Sequence, residues 1–207
     1  MRGKFITFEG PEGVGKSRQI KLLEEYLKQN GINYYLSREP GGTPVSEQIR
    51  SVILDGKNVS MSDECEALLY AAARVQLLKE VIKPRLDNGE IVFCDRYIDS
   101  SLAYQGYARG LGVEFVEKIN DFAMKNFMPD YTIFLKLPPE QAFLRKGGVD
   151  KNDRLELSGM EFHQKVYNGY LDLASRYKDR FIVIDASGTK QETHQKVVNA
   201  LKEKGVI

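Results

Sequence analysis

The sequence predicts an α/β fold in which a five-stranded parallel β-sheet lies between two layers of helices. Five short apolar stretches alternate along the chain with longer segments that have the 3.6-residue period of an amphipathic helix. Several of the short stretches are almost continuously apolar, which is typical of parallel strands buried on both faces. Because helices that connect parallel strands cover both faces of the sheet, three layers are expected.

The predicted elements account for most of the chain. Strands are expected at residues 5–8, 33–37, 91–94, 131–137 and 181–185. Helices are expected after residue 17 and at residues 44–55, 62–87, 112–126, 140–146, 159–177 and 191–204. Residues 146–156 are charged and contain paired glycines, so a mobile loop between two helices is predicted there. Because no linker or repeat divides the chain, residues 1–207 are expected to form one domain.

Composition argues against several classes of protein. The 30 lysines and arginines balance 29 acidic residues, so no overall field favours nucleic acid or an anionic membrane. No stretch approaches the roughly 18 apolar residues of a membrane span, and the N-terminus lacks the organisation of a signal peptide. Cys65 and Cys94 lack the spacing of metal ligands, and we expect two free, buried thiols in a reducing cytoplasm.

A glycine-rich motif follows the first predicted strand. Residues 10–17 read G-P-E-G-V-G-K-S, a full match to G-x-x-x-x-G-K-[ST], and the helical pattern starts directly after them. In such a P-loop the main-chain N–H groups surround a phosphate, the lysine reaches the β- and γ-phosphates, and the hydroxyl binds Mg²⁺. A chance glycine-rich turn is the alternative. The motif predicts nucleotide binding by Gly10, Pro11, Glu12, Gly13, Val14, Gly15, Lys16, Ser17 and Arg18, and indicates a three-layer P-loop NTPase fold.

Asp95 and Arg96 follow the apolar strand 91–94 directly. Ligands of open α/β sheets bind at the carboxyl ends of the strands, so these side chains are expected near the P-loop. Asp95 is suited to hold Mg²⁺, and Arg96 can neutralise phosphate. The alternative is a helix N-cap aspartate beside an exposed arginine.

The second predicted strand ends in a charged segment, S-R-E-P-G-G, and Arg50 follows one helix later. A phosphoryl acceptor that is itself a phosphate needs its own cations, and Arg38, Arg50 and Arg96 are candidates for that second anion site. Arg50 can equally belong to a solvated helix face. The alternative for Glu39 is that it serves only as the ion-pair partner of Arg38.

Tyr70 and Arg74 are four residues apart in the long predicted helix, so they share a face. An aromatic ring beside a guanidinium can stack on a flat base and bind its edge. The alternative is a tyrosine in the core with an arginine that reaches solvent. Residues 95–110, dense in hydroxyl, amide and phenol groups, are suited to recognise a polar ligand.

These residues resemble the bacterial thymidylate kinases over essentially the whole chain. The motifs F-E-G-P-E-G-V-G-K-S, R-E-P-G-G-T-P, Y-A-A-A-R and D-R-Y-I-D-S-S-L-A-Y-Q-G occur in the family's order. The resemblance implies a single nucleoside monophosphate kinase domain with a lid at about residues 146–156. It implies transfer of the γ-phosphoryl group of ATP to dTMP, giving dTDP, with Mg²⁺ and in the pathway to dTTP.

The resemblance also assigns the substrate-binding residues. Tyr70 matches the aromatic residue, usually Phe, that stacks on thymine, and Arg74 matches a residue that binds the base. Ser101 and Gln105 match further base contacts, and Tyr104 matches the ring that leaves no room for a 2′-hydroxyl. Glu12 would contact the 3′-hydroxyl. The acceptor phosphate would lie among Arg38, Arg50 and Arg96, with Glu39 and Asp95 near the metal.

The catalytic arginine of this family lies either in the P-loop or in the lid. Gly13 occupies the P-loop position here, so the lid must supply the charge. D-R-L-E at residues 153–156 resembles the lid pattern, which favours Arg154 over Arg145. The catalytic set implied is thus Lys16, Glu39, Arg96, Arg145 and Arg154. Arg18, where the family commonly has Thr, either touches the α-phosphate or points to solvent.

Two further expectations come from the family. Its members are homodimers, and the alanine-rich face of the long helix is suited to pack against a second subunit. Adenine is expected near residues 186–188. The rivals are a kinase for another nucleotide or deoxynucleoside and a P-loop switch or motor. The sequence contains no N-K-x-D segment of the type that reads guanine, which argues against a switch or motor.

Overall fold

The computed structural model describes residues 2–146, 155 and 158–207. Five strands form one sheet in the order β2-β3-β1-β4-β5, and every neighbouring pair is parallel. The strands are β1 Phe5–Glu9, β2 Tyr34–Arg38, β3 Ile91–Asp95, β4 Tyr131–Lys136 and β5 Phe181–Asp185. The five-stranded parallel sheet is confirmed.

Helices cover both faces of the sheet. They are α1 Lys16–Gln29, α2 Pro44–Leu54, α3 Asp63–Leu77, α4 Lys83–Asp87, α5 Ile98–Ser101, α6 Val113–Ile119, α7 Asp121–Asn126, α8 Pro139–Lys146, α9 Met160–Arg176 and α10 Lys190–Glu203. A π-helical turn at Leu78–Ile82 joins α3 to α4, so the helix predicted at 62–87 is continuous. A second π-helical segment, Leu102–Ala108, extends α5. Such wide turns are frequent at functional sites.

Alternation along the strands creates two hydrophobic cores. Ile133 and Leu135 of β4 point into the core beneath α1 and α10, whereas Phe134 between them points into the core beneath α9. This period of two is the geometry of an extended chain. In β1 it sends Glu9 to the same face as Phe5, so a carboxyl group enters the core beside the P-loop.

The two cysteines differ in burial. Cys94 lies in the core, as expected, but Cys65 is exposed in the first turn of α3, so the prediction of a second buried thiol is wrong. Both thiols are free. In the part of the chain that the structure describes, no helix combines the length and apolar character needed to cross a membrane.

A buried ion pair fixes α5 against the sheet. Both guanidinium nitrogens of Arg180 lie 2.6 Å from the carboxylate oxygens of Asp99, which is fully buried. The Thr132 hydroxyl of β4 also donates to Asp99. Removal of one partner of such a pair leaves a charge that water cannot reach.

Arg180→Ala is therefore expected to lower the free energy of unfolding by about 3–5 kcal/mol. Lys125→Ala is the matched control, because Lys125 forms an exposed pair with Asp121 and such pairs contribute about 0.5 kcal/mol or less. Urea unfolding of both variants measures the difference. Equal losses in the two variants would contradict the structural role of the Arg180 pair.

Candidate active site

A cleft of about 1170 Å³ opens at the carboxyl ends of β1, β2 and β3. Its walls come from separate parts of the chain: residues 12–19, 38–40, 95–96, 186–190 and 192–193, together with side chains of α2, α3 and α8. A smaller cavity adjoins it, and Glu12, Tyr70, Arg96 and Leu155 line both. The parallel strands bring these segments together because they all end at one edge of the sheet.

The P-loop at one end of the cleft has the backbone of an anion site. Gly10 and Gly15 have φ angles of 144° and 96°, which side chains disfavour. A Cβ on Gly10 would also lie 2.7 Å from the carbonyl oxygen of Leu135, so this position requires glycine. The 14-residue helix α1 starts directly after the loop and has no acidic residue in its first turn. Its positive end is therefore open to phosphate.

Lys16 is held within the loop. Its ammonium group donates to the carbonyl oxygens of Gly10 at 2.8 Å and Pro11 at 2.9 Å. Burial, and next the nearby charge of Arg96, lower the pKa of Lys16 to about 8. An anion in the cleft would counter both effects, so the bound phosphate and the charged form of Lys16 stabilise each other.

Arg96 stands where the two cavities meet. Its backbone adopts a φ of 67°, which is rare for a residue with a side chain. Its guanidinium donates to the Gly10 carbonyl oxygen at 3.2 Å and forms an ion pair with Glu12. The Tyr104 hydroxyl donates to the same Glu12 carboxylate at 3.2 Å. The P-loop and the segment after β3 are thus joined by charge.

Glu9 is a site residue that the sequence analysis missed. Its carboxylate accepts hydrogen bonds from the Tyr97 main-chain nitrogen at 2.7 Å, the Ser100 hydroxyl at 2.6 Å and the Tyr170 hydroxyl at 2.8 Å. Burial, and next the charge of Asp99, raise the pKa of Glu9 to about 7. An acidic residue at the end of a buried strand was the available signal. Glu9 holds the turn that carries Arg96.

Two carboxylates in the cleft each have one oxygen that accepts no hydrogen bond from the part of the chain that the structure describes. Among the described residues, Asp95 Oδ1 and Glu39 Oε1 are buried and have no hydrogen-bond partner. Together with the exposed Ser17, they offer the hard oxygen ligands that Mg²⁺ prefers. The N-cap alternative for Asp95 is wrong, because α5 starts at Ile98 with Tyr97 as its N-cap residue.

Glu39 pairs with Arg74 and not with Arg38. The Arg74 guanidinium lies 2.7 Å from Glu39 Oε2, and both side chains are almost fully buried. Arg38 instead binds Glu47 at 2.8 Å. Consecutive residues of an extended segment point to opposite sides, which separates Arg38 from Glu39. Burial raises the pKa of Glu39 to about 7, against the lowering effect of Arg74.

Arg38 and Arg50 converge on the cleft. Both donate to the carbonyl oxygen of Pro40, at 3.0 and 2.9 Å, and both line the cleft. The alternative that Arg50 lies on a solvated helix face is therefore wrong. Arg96 lines the same cleft, so the structure brings the three arginines of the predicted anion site to one cavity.

The alternative that placed Tyr70 in the core and let Arg74 reach solvent is wrong, because the burial of the two side chains is the reverse. Arg74 is 1% exposed, whereas Tyr70 is half-buried and lines both cavities. Arg74 donates to Asn120 Oδ1 at 2.6 Å and to the Ser101 hydroxyl at 3.0 Å. It is not among the residues that line the cavities, and it supports Ser101 from beneath.

The remaining predicted residues divide into four groups. Ser101, Tyr104 and Gln105 line the smaller cavity, and Arg18 lines the larger cleft. Arg145 donates to the carbonyl oxygens of Ala186, at 2.6 Å, and Ser187, in the loop expected to receive adenine. Arg154 and most of the predicted lid lie outside the described residues.

A P-loop that shares its cleft with three arginines and adjoins a second cavity is typical of the class of P-loop nucleoside monophosphate kinases. The family model for thymidylate kinase matches residues 8–197, and the chain belongs to the thymidylate kinase family. It is 49% identical over 203 residues to a thymidylate kinase of Caldanaerobacter subterraneus subsp. tengcongensis, covering 98% of this chain and 97% of the relative. Thymidylate kinases of Bacillus pumilus and Clostridium novyi are 48% and 47% identical, over 98% and 97% of this chain and 97% and 99% of their own lengths.

The pKa of Lys16 predicts how ATP affinity depends on pH. Below pH about 8 the ammonium is charged in the free protein, and bound phosphates raise its pKa further. The dissociation constant for ATP should therefore be flat below that pH and rise above it, by up to about tenfold per pH unit. Calorimetric titration with Mg²⁺ and ATP over this range measures it. In the Lys16→Arg variant, whose guanidinium stays charged, the dissociation constant for any remaining ATP binding should not rise with pH. A flat profile for the unsubstituted protein would contradict the assignment.

Proposed function

We propose that the two adjoining cavities serve the reaction of this family, with ATP at the P-loop and dTMP beside Tyr70. The chain transfers the γ-phosphoryl group of ATP to dTMP, giving dTDP and ADP, in the synthesis of dTTP. One observation carries the residue-level proposal: Glu12 and Arg96 line both cavities and join them. A donor phosphate at Lys16 and an acceptor phosphate at Arg96 would therefore meet at one point.

The acceptor half of the proposal uses the smaller cavity and its rim. Tyr70 stacks on thymine, Ser101 and Gln105 bind the base edge with Arg74 behind them, and Tyr104 lies beside the sugar. Arg38, Arg50 and Arg96 hold the acceptor phosphate. Glu12 takes the 3′-hydroxyl, which requires it to leave part of its ion pair with Arg96 when dTMP binds.

The donor half uses the P-loop, from Gly10 to Ser17, with Arg18 beside it. Ser17, Asp95 and Glu39 would hold Mg²⁺, which neutralises charge on the phosphates when it is bound. The acceptor phosphate is already anionic, so the protein needs no strong general base. Its contribution is to align the two phosphates and to stabilise the charge that develops between them.

Arg154 is proposed as the main catalytic cation of the lid. Gly13 leaves the P-loop without a second cation at that position. Arg145, the other candidate, already donates to the carbonyl oxygens of Ala186 and Ser187. That contact suits a residue that shapes the adenine site, with a lesser part in the transfer itself.

A coupled assay for ADP formation tests both the reaction and these roles. With Mg²⁺ and ATP, dTMP should be consumed in preference to dGMP or thymidine. Arg154→Ala should lower kcat by about 10³-fold or more, as loss of a catalytic arginine does in other phosphoryl transfers. Arg145→Ala, the matched control, should mainly raise KM for ATP. Equal kcat in Arg154→Ala and the unsubstituted protein would remove Arg154 from the mechanism.

The same assay separates the rival class. A P-loop switch or motor hydrolyses its nucleotide without any monophosphate acceptor, so ADP release that dTMP does not stimulate would favour that rival. Consumption of another monophosphate in place of dTMP would indicate a kinase of different specificity.

We also propose that the chain forms a homodimer through α2 and α3. Five apolar side chains are exposed on these helices: Val45, Val52, Leu68, Ala72 and Val75. The spacing of Leu68, Ala72 and Val75 places them on one face of α3. The two helices contact each other where Ser46 donates to the Ala73 carbonyl oxygen. We propose that this face, defined by the five residues, packs against the same face of a second copy. The dimer is proposed to be cytoplasmic, because a reducing compartment suits the two free thiols.

Leu68→Glu should convert the dimer to monomers, because it places a charge in the centre of an apolar interface. Val183→Glu is the matched control, since Val183 is similarly exposed but lies on β5. Light scattering at several protein concentrations measures the mass. A monomeric unsubstituted chain, or a Leu68→Glu variant that remains dimeric, would contradict the proposed interface.

A further inference from the structure

The amide of Gln105 is held from behind by a buried carboxylate. Gln105 lines the smaller cavity, and its Nε2 donates to Glu66 Oε1 at 2.8 Å. Both side chains are almost fully buried, at 1% and 0% exposure. The two residues lie 39 positions apart, on α3 and on the π-helical segment that follows α5.

Arg109 keeps Glu66 in the role of acceptor. Its guanidinium donates to Glu66 Oε2 at 3.1 Å and to Oε1 at 3.4 Å. Asp63, at 3.2 Å, is a second partner of Arg109. Both oxygens of Glu66 thus receive hydrogen bonds from a guanidinium, and a carboxylate held in this way accepts hydrogen bonds and does not donate them.

This arrangement selects one orientation of the Gln105 amide. The nitrogen must face Glu66, because the flipped amide would place its oxygen against the carboxylate and set two buried acceptors against each other. A buried acceptor without a donor costs about 1–3 kcal/mol. The amide oxygen is therefore left for the cavity, with the second N–H of the same amide beside it.

A fixed amide can distinguish two pyrimidines of the same shape. Thymine offers a donor at N3 and an acceptor at O4, whereas cytosine offers an acceptor at N3 and a donor at its 4-amino group. An amide that presents its oxygen to N3 matches thymine. It would have to flip to match cytosine, and Glu66 opposes that flip.

We propose that Glu66 is a positioning residue for substrate specificity: it locks the Gln105 amide so that the kinase rejects cytosine nucleotides. The proposal rests on the dTMP site described above. Rejection by a misplaced acceptor or donor is far stronger than rejection of a missing methyl group. The effect should therefore separate dTMP from 5-methyl-dCMP, which differs from it only at the base edge, and leave the preference for dTMP over dUMP unchanged.

The first measurement uses the unsubstituted protein and compares kcat/KM for dTMP and 5-methyl-dCMP in the ADP-coupled assay. A preference for dTMP of at least about a hundredfold is expected, from a mismatch at two hydrogen bonds. Failure to phosphorylate dTMP would overturn the proposed function. Rapid phosphorylation of both nucleotides would overturn this inference alone, whatever the variants do.

The second measurement uses Glu66→Gln, which preserves shape and allows either amide orientation. The ratio of kcat/KM for dTMP to that for 5-methyl-dCMP should fall about tenfold or more, chiefly because 5-methyl-dCMP becomes a better substrate. The ratio for dTMP to dUMP should stay within about twofold, since the methyl contact is untouched. Glu64→Gln, an exposed position on the same helix, is the control and should change neither ratio.

A double variant shows whether Glu66 acts through Gln105. If it does, Glu66→Gln added to Gln105→Ala should leave the dTMP to 5-methyl-dCMP ratio where Gln105→Ala alone sets it. A further fall in the double variant would overturn the positioning role. So would a Glu66→Gln protein that remains folded by thermal unfolding, turns over dTMP and keeps the unsubstituted ratio.

Discussion

The buried carboxylate of Glu9 is the contact on which the geometry of the site depends. It lies directly before the P-loop and accepts hydrogen bonds from the turn after β3 and from α9. These bonds fix the segment in which Arg96 adopts its left-handed backbone. The P-loop and the segment that carries Arg96 are therefore set against each other by one group at the end of the central strand. Burial opposes its charge, and three hydrogen-bond donors offset part of that cost.

The same principle recurs beneath the rest of the cleft. Arg74 is buried and satisfied by Glu39, Asn120 and Ser101, so it supports the wall of the smaller cavity from below. Glu66 does the same for Gln105. Buried polar groups that water cannot reach need fixed partners, and each fixed partner restricts the rotamer of a side chain that lines the cavity. The buried charges of this protein thus orient the polar side chains of its smaller cavity in advance.

Local pattern predicted the strands and the P-loop correctly, and the second anion site of three arginines stays a prediction. Arg38, Arg50 and Arg96 were expected together because an acceptor phosphate needs its own cations, and all three line the cleft. The errors concern direction and depth. Cys65 was expected to be buried but is exposed. The core alternative expected a buried Tyr70 and an exposed Arg74, whereas Arg74 is the more buried of the two. Helical spacing identifies residues that share a face, but it does not say how far a neighbouring helix covers each of them. The role of Arg154 and the single domain stay predictions.

The sequence by itself determined the fold class, the phosphate site and the kind of reaction, because these depend on residues that are adjacent in the chain and on backbone geometry that glycine permits. Only the tertiary structure decided which buried polar groups pair. Glu39 with Arg74 and Glu66 with Gln105 join residues that are 35 and 39 positions apart. Such pairs form where packing removes water and brings distant segments into contact, and no local spacing encodes that distance.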